Sequence, residues 1–203
     1  MRKETQAVHN LHEFLKYKIQ PLVENTEEML HGQNVVQILQ RPRELLGNFL
    51  ISVLESAGTG FKYTIASDPD EQDGIILNIS DGHDGEYLWM EHVFVPEFIP
   101  GLPTEAILNA IHSKVGKYGN SKNLSLVVFS DKEGVVDNAM IRNQIRETPN
   151  YEYNCTYVIG HNSLYYNEYG IARITDKLRL YTVKINESWD DWAVDFVGVV
   201  DEK

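Results

Sequence analysis

The chain has 203 residues, of which 42% are hydrophobic and 24% charged, so it can bury a core and is too apolar for wholesale disorder. The net charge of −12 leaves DNA as a candidate partner but disfavours it, because phosphate binding depends on Lys and Arg. A single cysteine, Cys155, excludes an internal disulfide and a cysteine-based zinc cluster. No apolar run approaches the ~20 residues of a membrane span and no apolar signal stretch follows Met1, so we expect a cytoplasmic protein with no membrane partner.

The first part of the chain predicts helices followed by strands. Apolar residues at helical spacing predict short helices within 9–31 and a longer helix over 43–56, with Pro42 at its first turn. After Gly60 the hydrophobic period changes to two, and we expect strands near 61–65, 74–79 and 87–95. Glycine and aspartate between the last two of these are typical of a hairpin loop, although the run DGHDG also has metal-binding side chains.

The second part predicts a helix and strands in alternation. A helix with Thr104 as N-cap and Glu105 just inside it ends near 116–119, and a strand buried on both faces follows at 124–129. A further helix over 135–146 precedes strands at 151–159, 178–185 and 193–200, with a loop between the first two of them. We therefore expect one α/β (α+β) domain with a mixed β-sheet flanked by helices, in which 1–35 is a helical extension, 43–130 the core and 131–203 a C-terminal α/β extension.

Two acidic residues stand at particular places in the predicted strands. Asp73 begins the second strand in the run DGII, and Glu91 lies inside the third in the run WMEHV. With the element order helix, strand, strand, strand, helix, strand from Glu44 to Phe129, this pattern resembles the PD-(D/E)XK nuclease superfamily, whose fold is called restriction-endonuclease-like. Glu44 stands where that family often has a supporting helix glutamate.

The resemblance implies metal-dependent hydrolysis of phosphodiesters. Asp73 and Glu91 would be the ligands of Mg²⁺ or Mn²⁺, which take carboxylate oxygens and activate a water molecule. The family places a lysine two residues after the second acid, where this sequence has Val93. Some members carry that lysine on the following helix, and Lys114 and Lys117 are the candidates here.

Three interpretations follow from these residues. The first is a metal-dependent nuclease, the second a nuclease-fold protein without catalysis that binds a basic protein partner, and the third an unrelated α/β domain with the same strand order. No Lys or Arg lies between Lys62 and Lys114, whereas ten acidic residues lie within 68–105. This segment suits a metal ion or a basic partner and repels a phosphate backbone. In the third interpretation, Asp73 is a turn residue and Glu91 an exposed acid on a strand.

Overall fold

The fold is mixed α+β, as the sequence predicts. The computed structural model describes residues 8, 10–24, 35–66, 74–83, 86–115, 122–162, 167–175 and 177–200, with side chains of the helix at 35–59 described from residue 40 onward. Eight strands form one mixed sheet in the order β1-β2-β3-β4-β5-β6-β7-β8. The chain forms two compact units: unit 1 comprises Met1–Glu91 and Val183–Val194, and unit 2 comprises His92–Thr182 and Asp195–Lys203.

The elements follow one another along the chain largely as predicted. The helical segments are α1 (Leu11–Phe14), a π-helical turn (Leu15–Ile19), α2 (Gln20–Glu24), α3 (Val35–Thr59), α4 (Pro103–Lys114) and α5 (Asn138–Glu147). The strands are β1 (Tyr63–Ala66), β2 (Gly74–Asn78), β3 (Tyr87–Val95), β4 (Leu124–Ser130), β5 (Cys155–His161), β6 (Glu168–Ile174), β7 (Leu178–Ile185) and β8 (Trp192–Val200). The element that the sequence did not predict is β6, which falls in the stretch expected to be a loop.

Helix α3 contributes a set of buried apolar side chains to unit 1. Its large apolar side chains recur at helical spacing and are at most 3% exposed, namely Leu46, Phe49, Leu50, Val53 and Leu54. Burying each of them contributes roughly 1.5–3 kcal/mol, which accounts for a helix of this length. The prediction that Pro42 begins the helix is wrong: α3 begins at Val35 and continues through Pro42. The packing of the following turns compensates for the backbone hydrogen bond that proline removes.

Strands β1 and β2 and the first part of β3, up to Glu91, form an antiparallel meander in unit 1. Strand β1 pairs with β2, and β2 pairs with β3 so that Gly74 lies opposite Met90. The hairpin between β2 and β3 contains Gly82 at a φ of 81°, a conformation that glycine adopts without strain. The predicted hairpin is therefore confirmed, although Asp84 and Gly85 lie outside the described residues.

The N-terminal helical segment of unit 1 packs against the start of β8. The ring of His12 stacks on Trp192 with centroids 4.4 Å apart, and Trp192 meets Phe49 edge-on at 5.1 Å. Asn10 caps α1 by accepting hydrogen bonds from the backbone N–H groups of His12 and Glu13. These contacts bring the beginning of the chain, the long helix and a late strand into one core.

Unit 2 contains a β-α-β arrangement in which α5 connects two parallel strands. Strands β4 and β5 pair in parallel, and β5 pairs antiparallel with β6. Residues of α4 and α5 form one apolar cluster with β4 and β5, which includes Ile107, Ile111, Leu126, Val128, Ile141 and Val158. The strand β6 is recognisable only through its pairing with β5, since its own sequence EYGIARI contains a central glycine.

The predicted N-cap of α4 is wrong by two positions. The helix begins at Pro103 with Leu102 as the N-cap residue, because proline is well suited to the first helical position, where its missing N–H costs no hydrogen bond. Thr104 lies inside the helix, and its Oγ1 accepts a hydrogen bond from the backbone N–H of Asp137 at 2.9 Å. The threonine thus connects the first turn of α4 to the N-cap residue of α5 instead of capping α4.

Candidate functional site

Glu91 is a buried carboxylate inside a β-strand. It is 6% exposed and lies between Met90 and His92, which are both buried. The alternative of an exposed strand acid is therefore wrong. A buried carboxylate destabilises the folded state unless it is paired, hydrogen-bonded or bound to a cation. The burial of Glu91 therefore keeps it as a candidate functional residue.

The pairing of β2 with β3 defines the surroundings of Glu91. Gly74 lies opposite Met90, and Asn48 of α3 contacts Gly74 where a side chain would begin, so α3 covers the face that carries Met90. Because side chains of a strand alternate, Glu91 belongs to the opposite face. Asp73, the other predicted ligand, directly precedes Gly74 and lies outside the described residues.

Glu44 lies on α3 and is held by neighbours on its own helix. Its carboxylate accepts a hydrogen bond from Gln40 Nε2 at 2.7 Å and pairs with Arg41 at 3.4 Å. Glu44 is 8% exposed and begins a buried polar row along α3 that continues with Asn48, Ser52 and Glu55. Glu44 therefore lies on a helix of unit 1 and is buried, with both oxygens engaged.

The candidate lysines are Lys114 and Lys117. Lys114 is the last residue of α4, in unit 2, and its carbonyl oxygen accepts a hydrogen bond from the Tyr153 hydroxyl at 3.4 Å. Lys117 lies outside the described residues. Glu44 and Glu91 belong to unit 1, whereas Lys114 belongs to unit 2. The prediction that one of these lysines completes the site therefore stays a prediction.

Glu91, the described member of the predicted ligand pair, is a suitable ligand by type. Carboxylate oxygens are the donors that Mg²⁺ and Mn²⁺ prefer in proteins. In the part of the chain that the structure describes, no group of three His, Cys, Asp or Glu side chains could hold a metal ion. Because Asp73 is not within that part, the metal prediction rests on Glu91 and on the sequence position of Asp73.

The hairpin run DGHDG has a local role in its described residues. His83 Nδ1 lies 3.0 Å from Glu86 Oε1, and Asn78 Nδ2 donates to Glu86 Oε2 at 3.1 Å. The hydrogen bond from His83 lowers the pKa of the Glu86 carboxyl below its usual range, and the bond from Asn78 acts in the same direction. These side chains fasten the hairpin to the end of β2.

Sequence reasoning missed a pocket of about 320 Å³ in unit 2, at the carboxyl ends of the parallel strands β4 and β5. Gly160 of β5 pairs with Ser130 of β4 on one side and with Gly170 of β6 on the other. Two of the three positions in this row across the sheet therefore lack a side chain. His161 ends β5 at the same edge, with Nε2 3.4 Å from Asp131 Oδ1. The pairing of Gly160 with Gly170 is the signal for this pocket. This pairing depends on the register of β5 and β6, which the local sequence pattern does not contain.

The sequence comparisons identify no family. No model of a known protein family matches the chain, and no curated protein matches it either. Within the described ranges, no helix has the length and apolar character required to cross a membrane.

Proposed function

We propose that this chain is a metal-dependent phosphodiester hydrolase of the PD-(D/E)XK type, with Asp73 and Glu91 as the ligands of Mg²⁺ or Mn²⁺. The observation that carries the proposal is the burial of Glu91, at 6% exposure, one residue beyond the Gly74–Met90 pair. An antiparallel ladder continued by one residue would set Asp73 opposite Glu91, and opposed side chains lie close enough to share one ion.

The order of elements supports a restriction-endonuclease-like core for the same proposal. Helix α3, strands β1 to β3, helix α4 and strand β4 follow one another along the chain, with Glu44 on the first helix. When bound, the metal ion would supply charge neutralisation and an activated water molecule. Glu91 would hold the ion together with Asp73, whereas Glu44, on the helix that covers the other face of β3, would not contact it. The role that the resemblance gives to Lys114 or Lys117, orientation of the attacking water, stays a prediction.

A second candidate function is binding without catalysis. Val93 occupies the place of the usual lysine, and both oxygens of Glu44 are engaged by Gln40 and Arg41. A nuclease fold with these two features would work through protein contacts, with the acidic segment 68–105 meeting a basic partner. This candidate predicts no cleavage under any metal condition.

A cleavage assay distinguishes the two candidates. Supercoiled plasmid and single-stranded DNA and RNA are incubated with wild-type protein in Mg²⁺, Mn²⁺ or EDTA, beside Asp73→Asn and Glu91→Gln. Glu55→Gln is the matched control, because Glu55 is a buried glutamate of unit 1 that is 7% exposed and lies outside the proposed site. We expect metal-dependent cleavage by wild type and Glu55→Gln, and a loss of about a hundredfold or more in the other two. Cleavage that survives Glu91→Gln would reject the assignment, and no cleavage by any protein would favour the second candidate.

A further inference from the structure

Two loops of unit 2 present a group of exposed apolar side chains. We define the two-loop surface as the apolar residues Phe98, Ile99, Leu102 and Val135 of the two loops, together with Met140 in the first turn of α5. Three of them are strongly exposed: Phe98 at 58%, Leu102 at 67% and Val135 at 89%. Single exposed apolar side chains are ordinary, but a group of this kind on neighbouring segments is typical of an interaction site.

The two loops are joined by specific polar contacts. Lys132 Nζ donates to the carbonyl oxygens of Glu97 at 3.2 Å and Ile99 at 2.6 Å. The backbone N–H of Glu133 donates to Glu97 Oε2 at 2.7 Å. These three hydrogen bonds hold the segment 97–102 against the segment 132–135.

The same loops also approach each other without room for larger residues. A Cβ built on Gly134 would lie 3.1 Å from Cγ of Pro103, and Gly134 has a φ of 121° that only glycine adopts readily. The capping bond from Met140 N to Asp137 Oδ1, at 2.9 Å, then begins α5 directly after the second loop. The apolar side chains thus lie on a preorganised support, which reduces the ordering cost of binding.

The charge around the two-loop surface indicates its partner. Residues 96–105 and 131–140 contain five acidic residues and one basic residue, Lys132, whose ammonium already binds two carbonyl groups. A second copy of this chain would bring the same acidic groups against one another, and an anionic membrane surface would be repelled in the same way. A partner with apolar side chains flanked by Lys and Arg fits both features.

We infer that the two-loop surface binds a basic amphipathic helix of another protein, which lays its apolar stripe on Phe98, Leu102 and Val135 and its basic flanks on the acidic rim. A helix presents apolar residues at spacings of three and four on one face, and amphipathic helices are recognised through that apolar face. The inference concerns unit 2 and stands whether or not unit 1 cleaves nucleic acid.

The test uses a labelled synthetic peptide of roughly 18 residues, about five helical turns. It contains only Leu and Lys, arranged so that the leucines share one helical face, and its binding is followed by fluorescence anisotropy. A peptide of the same composition with scrambled order and a Leu–Glu peptide with the original pattern are the controls. We expect binding of the first peptide alone, weakened as salt increases.

Three variants locate the binding. Leu102→Ser and Val135→Ser should each weaken it about tenfold, and Glu133→Lys should also weaken it. Leu102→Ser should retain the wild-type thermal midpoint, since serine is a favourable N-cap residue at the start of α4. Tyr17→Ser is the matched control, because Tyr17 is an exposed aromatic of unit 1, at 66%, and its loss should leave binding unchanged.

Five results would overturn the inference. The first is that wild type does not bind the patterned peptide, and the second is that it binds the scrambled peptide equally well. The third is an unchanged affinity in both serine variants. The fourth is that the protein partitions into phosphatidylcholine vesicles and not onto the peptide, and that Leu102→Ser abolishes this partition. A dimer of wild type in sedimentation that Val135→Ser dissociates would assign the surface to a second copy and would equally overturn it. The nuclease proposal has its own readout in cleavage, so either can fail without the other.

Discussion

The side-chain amide of Asn48 on α3 fills the space in which a side chain on Gly74 of β2 would begin. A Cβ built on Gly74 would lie 2.6 Å from Cγ of Asn48, far inside ordinary contact distance. Asn48 is only 2% exposed and therefore has little room to move aside. The close approach of helix and strand at this point depends on the glycine that follows Asp73.

The contact predicts that Gly74→Ala destabilises the protein. Overpacking of this kind costs about 1–3 kcal/mol, although alanine in place of glycine in a strand would otherwise be favourable. The free energy of unfolding is measured in urea for Gly74→Ala, Asn48→Ala and the double variant. We expect the alanine at position 74 to cost less in the Asn48→Ala background than in wild type. Equal costs in the two backgrounds would show that Asn48 is not the obstacle.

A second prediction concerns pH and the loop before β8. Asn186 Nδ2 donates to Asp190 Oδ1 at 2.8 Å and Lys16 Nζ to Asp190 Oδ2 at 3.4 Å. The hydrogen bond from Asn186, followed by that from Lys16, holds the pKa of the Asp190 carboxyl below its ordinary value. The folded state therefore binds this proton less readily than the unfolded state, and the stability it contributes is present above about pH 4 and lost as the pH falls through the lowered pKa.

Asn186→Ala should remove most of this pH dependence. The pKa of Asp190, followed by NMR of its carboxyl carbon, should rise towards the ordinary value of an aspartate. The stability difference from wild type should be larger at pH 7 than at pH 2.5, with a constant part from the lost backbone bond of Asp190 N to Asn186 Oδ1. Lys16→Met should move the pKa in the same direction by less. A pKa that does not move in Asn186→Ala would contradict this account.

A third prediction concerns the anchoring of the N-terminal helical segment. Trp192 contacts His12 on one side and Phe49 on the other, so it connects the segment at 11–24 with α3. Trp192→Leu should lower the free energy of unfolding by roughly 1–3 kcal/mol, from lost aromatic contacts and unfilled volume. It should also speed hydrogen exchange of the amides in 11–24. Tyr17→Leu, at an exposed position of the same segment, should change neither, and equal exchange in Trp192→Leu would reject the anchoring role.

The sequence predicted those parts of the fold that local patterns determine. Strand β3 has the predicted bounds of 87–95, because a hairpin and a proline-rich loop delimit it. The sequence pattern did not predict strand β6, because the stability of this strand comes from pairing with β5. The N-cap of α4 was misplaced because the hydroxyl of Thr104 accepts a hydrogen bond from Asp137 and does not cap the helix. Pro42 was expected to begin a helix, since packing around the following turns is not visible in a local pattern.

The candidate site could be predicted only in part for a similar reason. The position of Glu91 in a strand followed from alternation, but its burial depends on neighbours that are distant in sequence. The glycine pair that forms the pocket, Gly160 and Gly170, became meaningful only with the register of β5 and β6. Local patterns thus located acidic residues and strands, whereas partners and burial required the tertiary structure.

The most direct test of the central proposal is calorimetric titration of Mn²⁺ into wild type, Asp73→Asn, Glu91→Gln and the control Glu55→Gln. Both proposed ligands are carboxylates, and replacing either by an amide removes the charge that a divalent ion requires. We predict that wild type and Glu55→Gln bind Mn²⁺ with a measurable affinity. Asp73→Asn and Glu91→Gln should each lose most or all of that affinity. Binding of Mn²⁺ that is the same in wild type and Glu91→Gln, or no binding by wild type at millimolar Mn²⁺, would contradict the proposal.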